Sequence, residues 1–285
     1  VKVAQGHLND LIRFSAVDGP GNRFVVLLQG CNFNCIACHM PYTINGCDSC
    51  GICVEPCPEM ALYFDGHHRV VVDMDECTRC SICLDVCPKD STPLSEMIRL
   101  DSLTRQIADV AHFLTGITVS GGEPTLQADF VASLFCAIKC DDSLSHLTTF
   151  VDSNGHAARQ VWDRFLPVMD GAMIDLKALD PETHIELTGQ NNTLVLDTIR
   201  YLAEWDRLYE VRLLMIPGKN DDPATVERTA RWLRHVDPSL RIKLIGFRND
   251  GVRATAAQIP SADPRHIALL ADVIRSVGFE DLVVS

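Results

Sequence analysis

Three cysteines stand close together in the run Cys31-Asn-Phe-Asn-Cys35-Ile-Ala-Cys38, directly after an apolar stretch. Three thiolates on one short loop can hold three corners of a cube-shaped [4Fe–4S] cluster and leave the fourth iron without a protein ligand. An iron left open in this way can bind a small molecule, which a fully ligated cluster cannot do. Two other chemistries share parts of the pattern. Cys35-Ile-Ala-Cys38-His39 fits the C-x-x-C-H spacing of haem attachment. Covalent haem is assembled in an exported compartment, and the opening ten residues, Val1 to Asp10, lack the basic start and apolar stretch of an export signal. Clustered cysteines also bind zinc, but a structural zinc takes a fourth ligand, and His39, beside Cys38, is poorly placed to supply it.

Eight more of the 13 cysteines form two copies of another spacing, Cys47-x2-Cys50-x2-Cys53-x3-Cys57-Pro58 and Cys77-x2-Cys80-x2-Cys83-x3-Cys87-Pro88. This is the bacterial ferredoxin spacing, in which the fourth cysteine of each run crosses to the other of two [4Fe–4S] clusters. The expected sets are Cys47, Cys50 and Cys53 with Cys87, and Cys77, Cys80 and Cys83 with Cys57. A zinc ribbon is the alternative, and two full copies that each close in Cys-Pro count against it. Between them, Ala61-Leu-Tyr-Phe and Arg69-Val-Val-Val read as a short strand pair. The two cysteines left over, Cys136 and Cys140, lie four apart in an amphipathic helical pattern and are expected to be buried as small apolar groups.

The elements that must position these groups follow a repeating order. Residues 17–23, with two glycines around a proline, form a turn, and Phe24-Val-Val-Leu-Leu-Gln29 reads as a parallel strand covered on both faces. After about residue 95, strands at Ile117–Ser120, Leu147–Asp152, Ala172–Asp175, Val211–Ile216 and Ile242–Phe247 alternate with helical stretches near 126–140, 156–166, 192–205, 222–236 and 263–277. Strands alternating with helices predict an α/β fold, a partial (β/α)6 barrel, with right-handed crossovers. Asp281–Ser285 is a candidate closing strand. The domain reading is a discontinuous barrel, 1–45 and 96–285, carrying an inserted ferredoxin-like α+β domain over 46–95. Polar motifs fall after these strands, where parallel barrels gather their reactive groups: Ser120-Gly121-Gly122-Glu123, Asp152-Ser153-Asn154-Gly155 and Asp175-Leu176-Lys177.

Composition bounds the function. The 285 residues are 47% hydrophobic and 22% charged, an ordinary globular balance. A net charge of -13 argues against a nucleic-acid partner. No apolar run reaches the ~18 residues of a membrane span. These features predict a cytoplasmic protein whose cysteines serve metal chemistry rather than disulfides.

The three-cysteine spacing resembles the signature of the radical S-adenosylmethionine (SAM) superfamily. The chain as a whole resembles a glycyl radical enzyme activating enzyme, most closely the YjjW family. The resemblance rests on Asp18-Gly-Pro-Gly21 with Arg23, the cysteine loop with His39, the inserted double ferredoxin, Ile117–Glu123, Val151–Gly155, Gly171–Lys177 and Arg212-Leu-Leu-Met-Ile-Pro-Gly218. It implies three [4Fe–4S] clusters, one of them binding SAM through its free iron. One electron, from a flavodoxin or ferredoxin and routed through the inserted clusters, then yields methionine and a 5′-deoxyadenosyl radical. That radical takes a hydrogen from a glycine Cα of a partner glycyl radical enzyme.

The resemblance also implies that Ser120, Gly121, Gly122 and Glu123 meet the SAM amino group, with Glu123 either accepting from the ammonium or fixing the loop. Asp152, Asp175, Lys177 and Arg212 face the charged methionine part; for Asp175 and Lys177 the alternative is a salt bridge at the barrel rim. Asp152, Ser153, Met173 and Asp175 match positions that hold a monovalent cation beside SAM in some activating enzymes. Three positions depart from the pattern. Ala37 stands where an aromatic residue usually packs near the adenine, Met40 replaces an asparagine, and Arg248 stands where a histidine is often found. His39 is then read either as carrying more of the adenine packing or as a surface loop histidine.

Overall fold

A computed structural model describes residues 4–285. Among these residues nine strands share one sheet: β1 (Gln5–Ser15), β2 (Arg23–Leu28), β3 (Glu96–Arg99), β4 (Gly116–Gly121), β5 (Thr148–Ser153), β6 (Gly171–Asp175), β7 (Leu208–Met215), β8 (Arg241–Gly246) and β9 (Leu282–Val284). Their order is β9-β8-β7-β6-β5-β4-β2-β1-β3. The seven from β2 to β9 pair in parallel, and β1 pairs antiparallel with both β2 and β3. Every residue of β2 is buried, as its apolar run requires.

The expected α/β partial barrel is therefore present, and β9 supplies the closing strand. The edge pair β1 and β3 was not read from the sequence. Register shifts after Leu8 and Ile12 break the alternation of β1, so it carries no clean period of two.

Seven helices longer than one turn connect the sheet: α1 (Leu100–Ala108), α2 (Ala128–Cys140), α3 (Arg159–Phe165), α4 (Pro181–Thr188), α5 (Thr193–Glu204), α6 (Pro223–Val236) and α7 (Pro264–Val277). Three start on the same device. Asp180, Asp222 and Asp263 each precede a proline, and each carboxylate accepts from a backbone N–H of the first turn. α1 and α4 had no counterpart in the sequence reading. The main core lies between the helices and the outer face of the sheet, around Trp162, Phe135, Phe165 and Leu134. Cys136 and Cys140 are exposed on α2, their sulfurs 3.8 Å apart, which corrects their expected burial. Phe130, Val131, Leu134, Phe135 and Ile138 take the buried stripe instead.

The residues from Cys47 onward leave the barrel through a narrow neck, where Asn45–Gly46 pairs with Ser91–Thr92. Beyond it, Leu62–Phe64 pairs antiparallel with Val70–Val72, over a small cluster of Cys53, Leu62 and Val70.

At the carboxyl end of the barrel, β2 and β4 approach so closely that side chains are excluded. A Cβ on Gly122 would stand 2.1 Å from the Gly30 carbonyl oxygen. Gly121 has φ +107, and a Cβ there would meet the Leu28 backbone at 2.3 Å. Both glycines are thus demanded by neighbouring backbone. Gly122→Ala is expected to lower folding stability by at least about 2 kcal/mol, since overpacked backbone cannot give way as a side chain can. Denaturant unfolding checks this, and a wild-type midpoint would show that β2 and β4 can separate.

Candidate active site

The cysteine loop starts two residues beyond β2 and is held by backbone bonds on two sides. Gly30 and Cys31 donate to the carbonyls of Thr43 and Ile44 at 2.7 and 3.0 Å. Asn34 and Ile36 donate to Thr188 and Leu187 at 2.9 Å each, carbonyls at the end of α4 that have no partner within the helix. The loop thus completes the helix, and the helix fixes the loop.

All three thiols are partly shielded. Burial pushes Cys31 up to about 12, with the nearby charges of Glu123, Cys35 and Cys38 adding to it. Burial pushes Cys35 up to about 11 against the opposing pull of Lys177. Cys38 is raised for the same reason, with Lys177 and Arg253 opposing. Three thiols this close repel as thiolates, so they ionise together only when a cationic group is bound among them. Among the described residues, no three His, Cys, Asp or Glu side chains are gathered tightly around one point. Asn154 leans over the same sulfur set, its Nδ2 3.8 Å from Cys31 Sγ and 2.8 Å from Asn32 Oδ1.

Glu123 is fully buried, and its carboxylate accepts from Thr125 N, Thr125 Oγ1, Ser153 Oγ and Asn154 N at 2.7–3.0 Å. Its own N–H donates to the Gly30 carbonyl at 2.7 Å. Of the two roles read for this residue, fixing the loop is the one its contacts perform. Ser120 Oγ donates to Asp152 Oδ2 at 2.9 Å.

Inside the barrel, charges alternate along one chain of contacts. Arg212 donates from Nη1 to Asp152 at 2.9 Å, from Nε to Glu210 at 2.8 Å and from Nη2 to Met173 Sδ at 3.0 Å. Arg241 continues to Glu210 at 3.0 Å and to Asp281 at 2.7 Å. Burial holds Asp152 above the usual carboxylate range despite Arg212. Lys177 Nζ donates to Asp175 Oδ2 at 2.7 Å; burial alone would lower it, but Asp175 and Cys35 outweigh that and hold it raised.

These contacts place the residues of two sequence readings. Asp152, Ser153, Met173 and Asp175 do lie together at the ends of β5 and β6. Each already has a protein partner: Arg212, Glu123, Arg212 and Lys177 respectively. Arg248 points into solvent and meets Asp250 at 3.3 Å; only its carbonyl turns inward, to His39 Nε2 at 2.9 Å. β8 ends two residues earlier, so nothing directs that side chain into the barrel. Ala37 is buried with Ala178, Leu187, Ile216 and Phe247. Glu210, Asn154 and Arg253 were missed. Glu210 left a signal as an acid two residues from Arg212 on one strand and hence on its face, and Asn154 as a member of the polar motif that ends β5.

In the ferredoxin-like run, burial raises Cys53 and the neighbouring charges of Cys47, Cys50 and Cys87 raise it further. Burial likewise pushes Cys83 up to about 11, helped by Cys53, Cys77 and Cys80. Cys57, Cys77, Cys80 and Cys83 share the wall of a cavity of about 700 Å³ against β1.

The family model of the radical SAM superfamily matches residues 25–233. The chain belongs to the radical SAM superfamily. It is 27% identical over 252 residues to the pyruvate formate-lyase 1-activating enzyme of Escherichia coli (strain K12), covering 86% of this chain and 82% of that protein. It is 29% identical over 271 residues to the 4-hydroxyphenylacetate decarboxylase activating enzyme of Clostridioides difficile (strain CD196), covering 88% and 84%. Among solved structures, a radical SAM methyltransferase from Sphaerobacter thermophilus superposes with a TM-score of 0.57 at 16% identity, over 92% of this chain and 66% of that one. A domain of the pyruvate-formate lyase-activating enzyme from Bacteroides vulgatus ATCC 8482 gives 0.50 at 23%, over 60% and 98%. At these identities the two structures bear on the fold alone, and the fold is that of a radical SAM enzyme.

Among the described residues, no helix of this radical SAM chain is long and apolar enough to cross a membrane. Within its barrel, Arg212→Met would leave Asp152 and Glu210 facing each other without a shared cation. Breaking a buried pair by removing one partner is expected to cost about 3 kcal/mol. Urea unfolding measures it, and Asp152→Asn in the same background should recover part of the loss.

Proposed function

We propose that this radical SAM enzyme is a glycyl radical enzyme activating enzyme. It reductively cleaves SAM to a 5′-deoxyadenosyl radical, which removes a hydrogen atom from a glycine Cα of a partner protein. The observation that carries this reading is the three-thiol loop standing beside two acid–base pairs at the mouth of the barrel, in a chain whose relatives include two activating enzymes. The group held by Cys31, Cys35 and Cys38 supplies, when bound, the electron for the cleavage.

The remaining work falls to the chain's own residues. A methionine moiety brings one ammonium and one carboxylate, and the site offers Asp152 with Ser120 for the first and Lys177 for the second. Asp175 holds Lys177 protonated while it waits. Gly121 and Gly122 let β4 end against β2, so that the ligand meets backbone there, and Glu123 holds that backbone still. Arg212 keeps Asp152 from leaving the barrel interior. His39, fixed by the Arg248 carbonyl, offers a ring face for the adenine. A monovalent cation beside the methionine moiety would take carboxylate oxygens of Asp152 and Asp175, the Ser153 hydroxyl and the backbone carbonyl of Met173.

Residues 46–95 form an inserted domain in this reading. The charges of Cys47, Cys50 and Cys87 at Cys53, and the cavity wall shared by Cys57, Cys77, Cys80 and Cys83, support the crossed sets: Cys47, Cys50, Cys53 and Cys87 for one [4Fe–4S] cluster, Cys57, Cys77, Cys80 and Cys83 for the other. A flavodoxin or ferredoxin would deliver electrons to this side.

Anaerobic reconstitution should load about twelve irons per chain, four for each of three clusters. Cys35→Ala should retain about eight and lose all deoxyadenosine formation. Reduced enzyme mixed with SAM and a glycyl radical enzyme from the same cell should give a glycine-centred doublet by electron paramagnetic resonance, absent without SAM. SAM cleavage that never yields this doublet with any such enzyme would reject the activating role, and cleavage persisting in Cys35→Ala would reject the site.

A further inference from the structure

Arg253 lies in the loop after β8, and its side chain is mostly enclosed by two other parts of the chain. Its Nε donates to Asp90 Oδ1 at 3.1 Å, and its Nη1 to the Cys35 carbonyl at 3.4 Å. Asp90 stands three residues after Cys87, at the return from the insert, and its carbonyl accepts from Asn45 N at 3.1 Å, two residues before Cys47. One guanidinium therefore touches the three-cysteine loop and the neck through which the second cysteine framework is attached. Nη2 contacts Asp90 Oδ2 at 3.1 Å but off the hydrogen-bonding direction, so this buried nitrogen has no aligned acceptor among the described residues. Its charge is felt at both Cys35 and Cys38. Lys177, the other cation near these thiols, is already committed to Asp175.

We infer that Arg253 is a positioning residue. It fastens the Cys35–Cys38 segment to the Asp90 end of the insert and keeps its positive charge beside the thiols and the group they hold. The inference rests on the reading of Cys31, Cys35 and Cys38 as the SAM cluster site. A planar fork can hold a carboxylate and a carbonyl at once, which a lysine ammonium on a flexible stem does not. A nearby positive charge favours the reduced, more negative state. Fixing the neck to the loop also sets the separation between the two iron-binding frameworks, and so the path of an electron between them.

The test uses the full, reconstituted chain. A wild-type paramagnetic resonance signal that changes on adding SAM establishes the cluster reading; if it does not change, that reading fails, and not the fastening. Given that signal, Arg253→Ala should keep wild-type iron content, shift the midpoint potential of the SAM-responsive signal to more negative values, and slow SAM cleavage about tenfold. Arg253→Lys should restore most of the potential, because the charge returns, but not the rate, because the fork does not. Asp90→Asn, which frees the guanidinium without removing it, should slow cleavage and alter the SAM-bound line shape. Wild-type potential and line shape in Arg253→Ala overturn the inference. If that variant does not fold, wild-type behaviour in both Arg253→Lys and Asp90→Asn overturns it equally.

Discussion

A carboxylate removed from water must be answered by donors or take up a proton, and the geometry of this site depends on how Glu123 is answered. Burial pushes its proton affinity up, and four hydrogen bonds from Thr125, Ser153 and Asn154 pull it back. Those donors sit beyond β4 and at the end of β5, while the Glu123 amide reaches the Gly30 carbonyl at the end of β2. One residue thus ties together three neighbouring strand ends where the cysteine loop and the ligand-facing polar groups begin. Asn154, held through its amide by Glu123, turns its side chain to Asn32 and Cys31. The position of the first thiol is in this sense set by a carboxylate buried among protein donors.

The second constraint is charge inside a low-dielectric barrel. Asp152 and Asp175 lie on adjacent strands facing the same interior, and two bare carboxylates there would raise each other's proton affinity. Arg212 and Lys177 oppose that repulsion, each at the acid it contacts, although burial still holds Asp152 raised. Arg212 itself is held by Glu210, and Glu210 by Arg241, so the sequence of signs runs from the rim at Asp281 to the site at Asp152. A zwitterion entering this site meets groups whose charges are already fixed and oriented, so little reorganisation is left to its binding.

How much of this was legible follows from the kind of signal each feature leaves. Fixed spacings survive in the sequence, so the three-cysteine loop, the Ser-Gly-Gly-Glu turn and the alternation of strands and helices could be read directly. The strand β1 could not, because its register shifts erase the alternation that marks a strand. The exposure of Cys136 and Cys140 was misread because α2 is apolar over more than one face, and a residue type alone does not say which face is buried. Arg248 was chosen by its place after β8, but the chain leaves the strand at Gly246 and side-chain direction is lost with it. Arg253 was invisible for a different reason. Its partners are 163 and 218 residues away, and only the folded chain brings them together.

The departure at Ala37 shows how a substitution in a motif can be answered elsewhere. A small residue before the third cysteine removes a ring from the loop. In the fold, Phe247 comes off the end of β8 and packs with Ala37, Ile216 and Leu187, with Val252 and Ile259 closing the cluster from the following loop. Phe247 is itself 1% exposed, so it fills the volume under the loop and presents no face to a ligand. His39 lies over it, the two rings 6.1 Å apart, and remains exposed. Packing and presentation, which a single aromatic side chain on the loop would combine, are here divided between two residues. Phe247 supports the loop from below, and His39, anchored by the Arg248 carbonyl, keeps an exposed ring above it.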